Sequence, residues 1–174
     1  KGQRKFRYWS AASSSGEEPY SMAITLLEAL NGENVDIKIL GTDISTQVLA
    51  KAINGIYIEK KVDPIDNKLL KKYFLLEYKN NKKHYRVKKR LKNLTIFRRM
   101  NLSESPLPLN KKLDMIFCRN VMIYFDQIHR EKLINELYRL LKPGGYLLTG
   151  HSESITGINN NFKVVRPSIY YKKY

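Results

Sequence analysis

One cysteine, Cys118, stands in a chain of 174 residues. That single thiol excludes a disulfide framework and a cysteine-rich zinc module, and it fits a reducing cytoplasm. Three scattered histidines (His84, His129 and His151) offer no ligand spacing, so no metal is expected. No stretch reaches the roughly 18 uninterrupted apolar residues of a membrane span, and membrane insertion is not expected. Residues 1–7 lack the apolar core of a secretory signal. Acids are scarce as well: 16 Asp and Glu face 32 Lys and Arg, a net charge of +16. At 43% hydrophobic, with 12 Tyr and 6 Phe, the chain is nonetheless too apolar for disorder. Its length suits one domain that buries roughly 70% of its unfolded surface. A soluble, cytoplasmic, monomeric domain is expected.

The charge is concentrated. Residues 60–112 hold seventeen Lys/Arg and four acids, a net of +13, and the rest of the chain only +3. Within that region, residues 79–92 (KNNKKHYRVKKRLK) carry eight cations and no carboxylate. Such a strip attracts phosphates or acidic protein surfaces, or simply solubilises a face.

The hydrophobic pattern alternates strand and helix. Residues 6–10 form a short aromatic strand, and 11–16 (AASSSG) a loop of small residues. Glu17, Glu18 and Pro19 open a helix, since acids favour its positive end and proline is tolerated in its first turn. Residues 36–40 read as a second strand, followed by a helix capped at Ser45 or Thr46 and stopped by Gly55. Residues 56–92 break the rhythm and are expected to form an inserted helix-plus-hairpin subdomain. Strands at 94–97, 113–118 and 146–149 resume it, with a helix over 127–141 stopped by Lys142-Pro-Gly-Gly145. An antiparallel hairpin around Pro167 closes the chain. Strand and helix in alternation predict a mostly parallel, seven-stranded α/β sheet with right-handed crossovers.

In such sheets ligands gather at the carboxyl ends of the strands. The polar residues expected there are Glu17 and Glu18 after the small-residue loop, Asp43, Asn101, and Arg119-Asn120. The phosphate-cradling GxxxxGK[ST] pattern is absent, and carboxylates at a helix start would repel pyrophosphate. They suit an ammonium or a hydroxyl, while an acid after the second strand suits ribose hydroxyls. A ligand with ribose, an amine and no phosphate is therefore expected, and S-adenosylmethionine (SAM) answers that description.

WSAASSSGEEPYS (9–21), GTDIS (41–45), FCRNVMIYF (117–125), LKPGG (141–145) and GHSE (150–153) together resemble the CheR chemotaxis methyltransferases, in order and over essentially the whole chain. The resemblance implies a Rossmann-like SAM-dependent methyltransferase domain over residues 1–174. Its activity would be transfer of a methyl group to glutamate side chains of chemoreceptors, giving glutamyl methyl esters and S-adenosylhomocysteine. It places cofactor contacts at Glu17 or, preferably, Glu18, and at Asp43, Asn101, Leu102, Arg119 and Asn120. Tyr124 and Arg119 would border methyl transfer. An ionised substrate carboxylate is already a nucleophile, which fits the absence of a Ser/His/Asp or Cys/His set. Family members also carry a helical N-terminal domain; this chain starts at the first strand and is expected to be a fragment or a processed form. The glycine-free segment 77–86 argues against tethering a receptor's C-terminal pentapeptide. The basic strip is expected to face the acidic helices of the receptors. Nucleic-acid binding, or RNA methylation through region 60–112, is the alternative. Against it, the turn after the fourth strand lacks the Asn/Asp-Pro-Pro-aromatic clamp for a base amine. Cys118 is expected to be inert core, and His151-Ser-Glu153 to shape a turn.

Overall fold

The computed structural model describes residues 4–155, 157–158 and 161–173. In chain order its elements are β1 (Lys5–Ser10), α1 (Glu17–Leu30), β2 (Asp36–Asp43), α2 (Thr46–Asn54) and β3 (Ile56–Ile58). There follow α3 (Glu59–Val62), α4 (Asn67–Tyr73), β4 (Phe74–Lys79), β5 (Lys82–Val87), α5 (Lys89–Lys92) and β6 (Thr95–Arg99). The chain closes with β7 (Leu113–Cys118), α6 (Gln127–Leu140), β8 (Leu141–Thr149), β9 (Phe162–Arg166) and β10 (Ile169–Lys172).

The seven-stranded sheet has the order β6-β2-β1-β7-β8-β10-β9. The pairs β1–β2, β2–β6, β1–β7 and β7–β8 are parallel, and β10 runs antiparallel to both neighbours. Side chains alternate across it as pleating requires. Trp9, Ile116 and Leu147 meet Leu133, Leu137 and Leu140 of α6 on one face. Ile37, Ile39 and Phe97 meet Tyr20 and Ala23 of α1 and Ala52 of α2 on the other. Both faces are covered, so the parallel strands read as nearly continuous apolar runs. Truncating Ile37, which is 3% exposed, to alanine would cost about 2–5 kcal/mol. Among the described residues no helix is long and apolar enough to cross a membrane.

Local signals start and stop the helices. Ser45 accepts a hydrogen bond from the Val48 N–H at the head of α2, and Asp126 one from the His129 N–H at the head of α6. The start of α1 is different: Gly16 occupies its cap position with φ 92° and no side-chain cap. A Cβ there would lie 2.8 Å from the Ala52 Cβ of α2. Gly16→Ala is therefore expected to cost about 1–3 kcal/mol, read as a lower midpoint in thermal or urea unfolding, since neither the backbone angle nor the α1–α2 contact accommodates a methyl group.

Two features go beyond the sequence expectation. The insertion holds the expected helix, α4, and the expected hairpin, β4–β5, and adds a strand: β3 pairs antiparallel with β5, making a three-stranded sheet β3-β5-β4 accompanied by short helices. Three residues directly behind a helix carry no strand period of their own; they are strand because Tyr85 and its neighbours lie opposite. Likewise Lys142-Pro-Gly-Gly145 does not stand between helix and strand. The helix ends at Leu140 and β8 begins at Leu141. Leu141 pairs with Leu113 and Tyr146 with Met115, so Pro and the glycines form an irregularity inside the strand.

Candidate active site

The chain builds outward from β1 through β2 to β6, then returns to place β7 on the other side of β1. That reversal is a topological switch point, and loops leaving adjacent strands diverge there to open a crevice. A groove of about 530 Å³ lies at these strand ends, lined by the small-residue loop, Glu17, Glu18, Asp43, Arg119, Asn120 and Tyr124. Six of the eight residues expected to form a site are thus brought together. Asn101 and Leu102 do not line this groove. They follow Met100, whose N–H donates to the Asp43 carbonyl at 3.0 Å. The Asn101 side chain accepts from the Ser103 N–H and hydroxyl, and Leu102 is buried in the core with Trp9. Of these two residues, Leu102 can offer a ligand at that edge only its backbone.

The two acids at the head of α1 have separate partners. Glu18 accepts from the Ser10 hydroxyl at 2.7 Å and from Arg119 Nη1 at 3.3 Å, tying β1, α1 and the exit of β7 together. Glu17 accepts from the Ser15 hydroxyl at 2.7 Å and pairs with Lys61 at 2.9 Å. Burial alone would raise the Glu17 carboxyl, but Ser15 and Lys61 outweigh it and hold it below its ordinary value. Lys61 belongs to α3, so the insertion reaches into the groove. Tyr57 of β3 holds the small-residue loop from beneath, its hydroxyl donating to the Ser15 carbonyl at 2.7 Å. Burial pushes the Tyr57 hydroxyl far up, with Glu17 adding to it, so it remains a donor.

Asp43 fixes the opposite end of the loop. One of its oxygens accepts the Ser14 N–H and the other the Ser45 N–H, both at 3.0 Å. Each carboxylate oxygen accepts more than one bond, so hydroxyl groups of a ligand can be held as well. Beneath, Trp9 Nε1 donates to the Thr42 hydroxyl and that hydroxyl to the Ala11 carbonyl, each at 2.9 Å. The Ser13 hydroxyl is buried and has no hydrogen-bond partner among the described residues.

The turn after β7 carries Arg119 and Asn120, then a 3₁₀ turn over Met122–Tyr124. Tyr124 is 81% exposed at the mouth of the groove. Asn120 has φ 57°, the left-handed region. Sequence reasoning gave Glu153 only a turn-shaping role; the structure buries its carboxylate against this turn. The signal was the acid in GHSE, which spacing alone could not direct to residues thirty positions upstream. Lys61, Ser10 and Ser13 were likewise missed as individual groups, because nothing in their own neighbourhood marks them out. Cys118 is buried, and burial pushes its thiol well up, with Glu153 and Glu18 adding to the effect. Alkylation of the folded chain by iodoacetamide at pH 8 should therefore be undetectable until denaturant is added; labelling under native conditions would contradict that burial. Among the described residues no cluster of His, Cys, Asp and Glu could hold a metal.

Residues 1–171 match the family described as CheR methyltransferase, SAM binding domain. A chemotaxis protein methyltransferase of Borreliella burgdorferi is 45% identical over 170 residues, covering 97% of this chain and 59% of its own. The protein of that name from Escherichia coli is 37% identical over 166 residues, covering 95% of this chain and 58% of its own. This chain thus spans less than two thirds of the length of those relatives. Among solved structures, a magnesium protoporphyrin IX methyltransferase of Synechocystis with bound SAM aligns with a TM-score of 0.51. That match covers 94% of this chain and 62% of the other at 19% identity, a likeness of fold. With the sheet order, the groove at its switch point and the family match in agreement, the chain belongs to the CheR methyltransferase family and carries its SAM-binding domain.

Proposed function

We propose that this domain serves the transfer of the SAM methyl group to glutamate carboxylates of chemoreceptor helices, with glutamyl methyl esters as products. The observation that carries the reading is the donor set of the groove: carboxylates at Glu18 and Asp43 with no phosphate cradle between them. The residues present fit the cofactor. Asp43 suits vicinal ribose hydroxyls, Glu18 an ammonium, and the buried, unpaired Ser13 hydroxyl supplies a further polar contact in the same groove. Glu17, held by Lys61, is the less suited of the two acids. Asn101 and Leu102 would meet the adenine edge.

When bound, SAM supplies an electrophilic methyl group on a sulfonium. The substrate glutamate, with an ordinary pKa of about 4.3, is ionised at neutral pH and needs no general base. What is left to the chain would be to align that oxygen with the methyl group and to neutralise charge. Arg119 is suited to the second task. Its guanidinium keeps one 3.3 Å contact to Glu18 and is 41% exposed, leaving further N–H donors for an incoming carboxylate. Tyr124 borders the place where that carboxylate would arrive.

The test has two readings. Calorimetric titration of the chain with SAM and S-adenosylhomocysteine should show one site. Incubation with methyl-labelled SAM and a glutamate-rich receptor helix should then give label that base releases as methanol, the mark of an ester. Base-stable label in RNA instead would overturn the assignment in favour of a nucleic-acid substrate.

A further inference from the structure

We infer that Glu153 is a positioning residue for methyl transfer, holding the turn that presents Arg119, Asn120 and Tyr124 through its backbone rather than through their side chains. The inference rests on the methyl-transfer reading for what the turn does, and on geometry alone for how the turn is held.

The Glu153 side chain lies after β8, on the neighbouring strand to β7, and is 1% exposed. It accepts four backbone N–H bonds. Oε2 takes Asn120 at 2.6 Å and Gly150 at 2.8 Å; Oε1 takes Val121 and Met122, each at 2.8 Å. Among the described residues no Lys or Arg pairs with it, so backbone dipoles alone compensate a buried carboxylate. Three consecutive amides can converge on one anion only if the chain curls into a nest, which a residue in left-handed conformation creates. Asn120, at φ 57°, is that residue. An asparagine held there carries conformational strain, which the bonds to Glu153 offset.

The close approach is enforced from the other side as well. A Cβ on Gly150 would sit 2.3 Å from Glu153 Oε2, so only glycine leaves room for the carboxylate. The Glu153 N–H donates to the Gly150 carbonyl at 3.0 Å, and Arg130 of α6 donates to the neighbouring Ser154 carbonyl. The end of β8 is therefore a socket into which the end of β7 is plugged. Arg119 precedes the plugged amides by one residue and Tyr124 follows them by two, so these bonds set where the backbone of each begins.

The stereochemistry specifies the test. Each oxygen serves two donors. A glutamine in this place serves one pair with its oxygen and turns an NH₂ group toward the other pair, leaving two N–H groups facing a donor. Aspartate, one methylene shorter, reaches part of the set. The variants Glu153→Gln and Glu153→Asp are compared with the unaltered chain and with Ile37→Ala, a core truncation at the far end of β2. Two readouts are taken below the melting range: amide hydrogen exchange at residues 120–122 in the cofactor-free chain, and the Kd for S-adenosylhomocysteine with its stoichiometry.

Glu153→Gln should speed exchange at residues 120–122 at least about tenfold while amides of β1 and β7 keep their protection. Its Kd should rise about tenfold at unchanged stoichiometry, with Glu153→Asp between the two. Ile37→Ala should melt earlier but match the unaltered chain in both readouts. If Glu153→Gln leaves exchange at 120–122 unchanged, or changes Kd no more than Ile37→Ala does, the positioning role is refuted. If the glutamine variant does not fold, the same comparison with aspartate decides. Should even the unaltered chain fail to bind S-adenosylhomocysteine, the methyltransferase reading fails, while the exchange data still settle whether Glu153 orders the turn.

Discussion

Replacing Asp43 by alanine should weaken SAM binding by about 1–3 kcal/mol, measured by calorimetric titration of the folded variant. Two losses combine in that figure. One is the charge-assisted bonding of ribose hydroxyls that the proposed function assigns to this carboxylate. The other is visible without any ligand: the side chain accepts the Ser14 and Ser45 N–H groups and so fixes the small-residue loop against the head of α2. Asp43→Asn keeps one acceptor oxygen and should recover only part of the affinity. The two contributions separate in a second measurement. If the loop alone mattered, the affinity for adenosine and for its 2′,3′-dideoxy analogue would fall by the same factor. Unchanged SAM affinity in a folded Asp43→Ala chain removes ribose recognition from Asp43 altogether.

The second large effect is expected at the basic strip, and the structure narrows which charges carry it. Several cations of the strip are engaged in holding the insertion. Lys83 pairs with Glu59 and Arg86 with both oxygens of Glu77. Lys88 donates to the Lys71 carbonyl, and Lys92 to the last carbonyls of α2 at Ile53 and Asn54. Lys79, Lys82 and Lys89 are exposed instead. Lys79 and Lys82 stand directly opposite each other at the end of the β4–β5 pair, where like charges repel. An acidic partner docked there would relieve that repulsion, as the receptor reading of the strip expects. Changing Lys79, Lys82 and Lys89 to Glu should slow methylation of receptor helices about tenfold or more at low salt and flatten its salt dependence. Cofactor affinity should stay as it was. Normal methylation with loss of RNA retention would favour the nucleic-acid alternative, and no change in either assay would make the strip a solubilising face.

Much of this was legible in the residues. Helix ends at Ser45 and Gly55 and the apolar strand over 113–118 were marked by local chemistry, and local chemistry survives folding because caps and turn geometry act within a few residues. That Glu18, Asp43 and Arg119 would share one groove could be expected because an alternating α/β pattern places strand ends together whatever the loops contain. What escaped was held by partners distant in sequence. β3 is a strand only because His84, Tyr85 and Arg86 lie opposite. The glycines in 142–145 looked like a helix stop but serve as an irregularity in β8, since Leu113 draws Leu141 into the sheet ahead of them. Glu153 was visible as an acid and invisible as an acceptor for residues 120–122.

The bonds from Tyr57 to Ser15 and from Lys61 to Glu17 bear on how this domain can be recombined with its relatives. The insertion is a small sheet of its own beside the seven-stranded one, and the obvious seams are Gly55 and Lys92. Cutting at those seams would carry two rivets of the small-residue loop away with the module. A chimera that takes its β4–β5 hairpin from a relative should therefore be spliced inside β4 and β5, keeping residues 56–61 native. Spliced at the outer seams, it would exchange the basic strip and the loop's fastening in one stroke, and any change in partner preference would arrive mixed with a change at the groove.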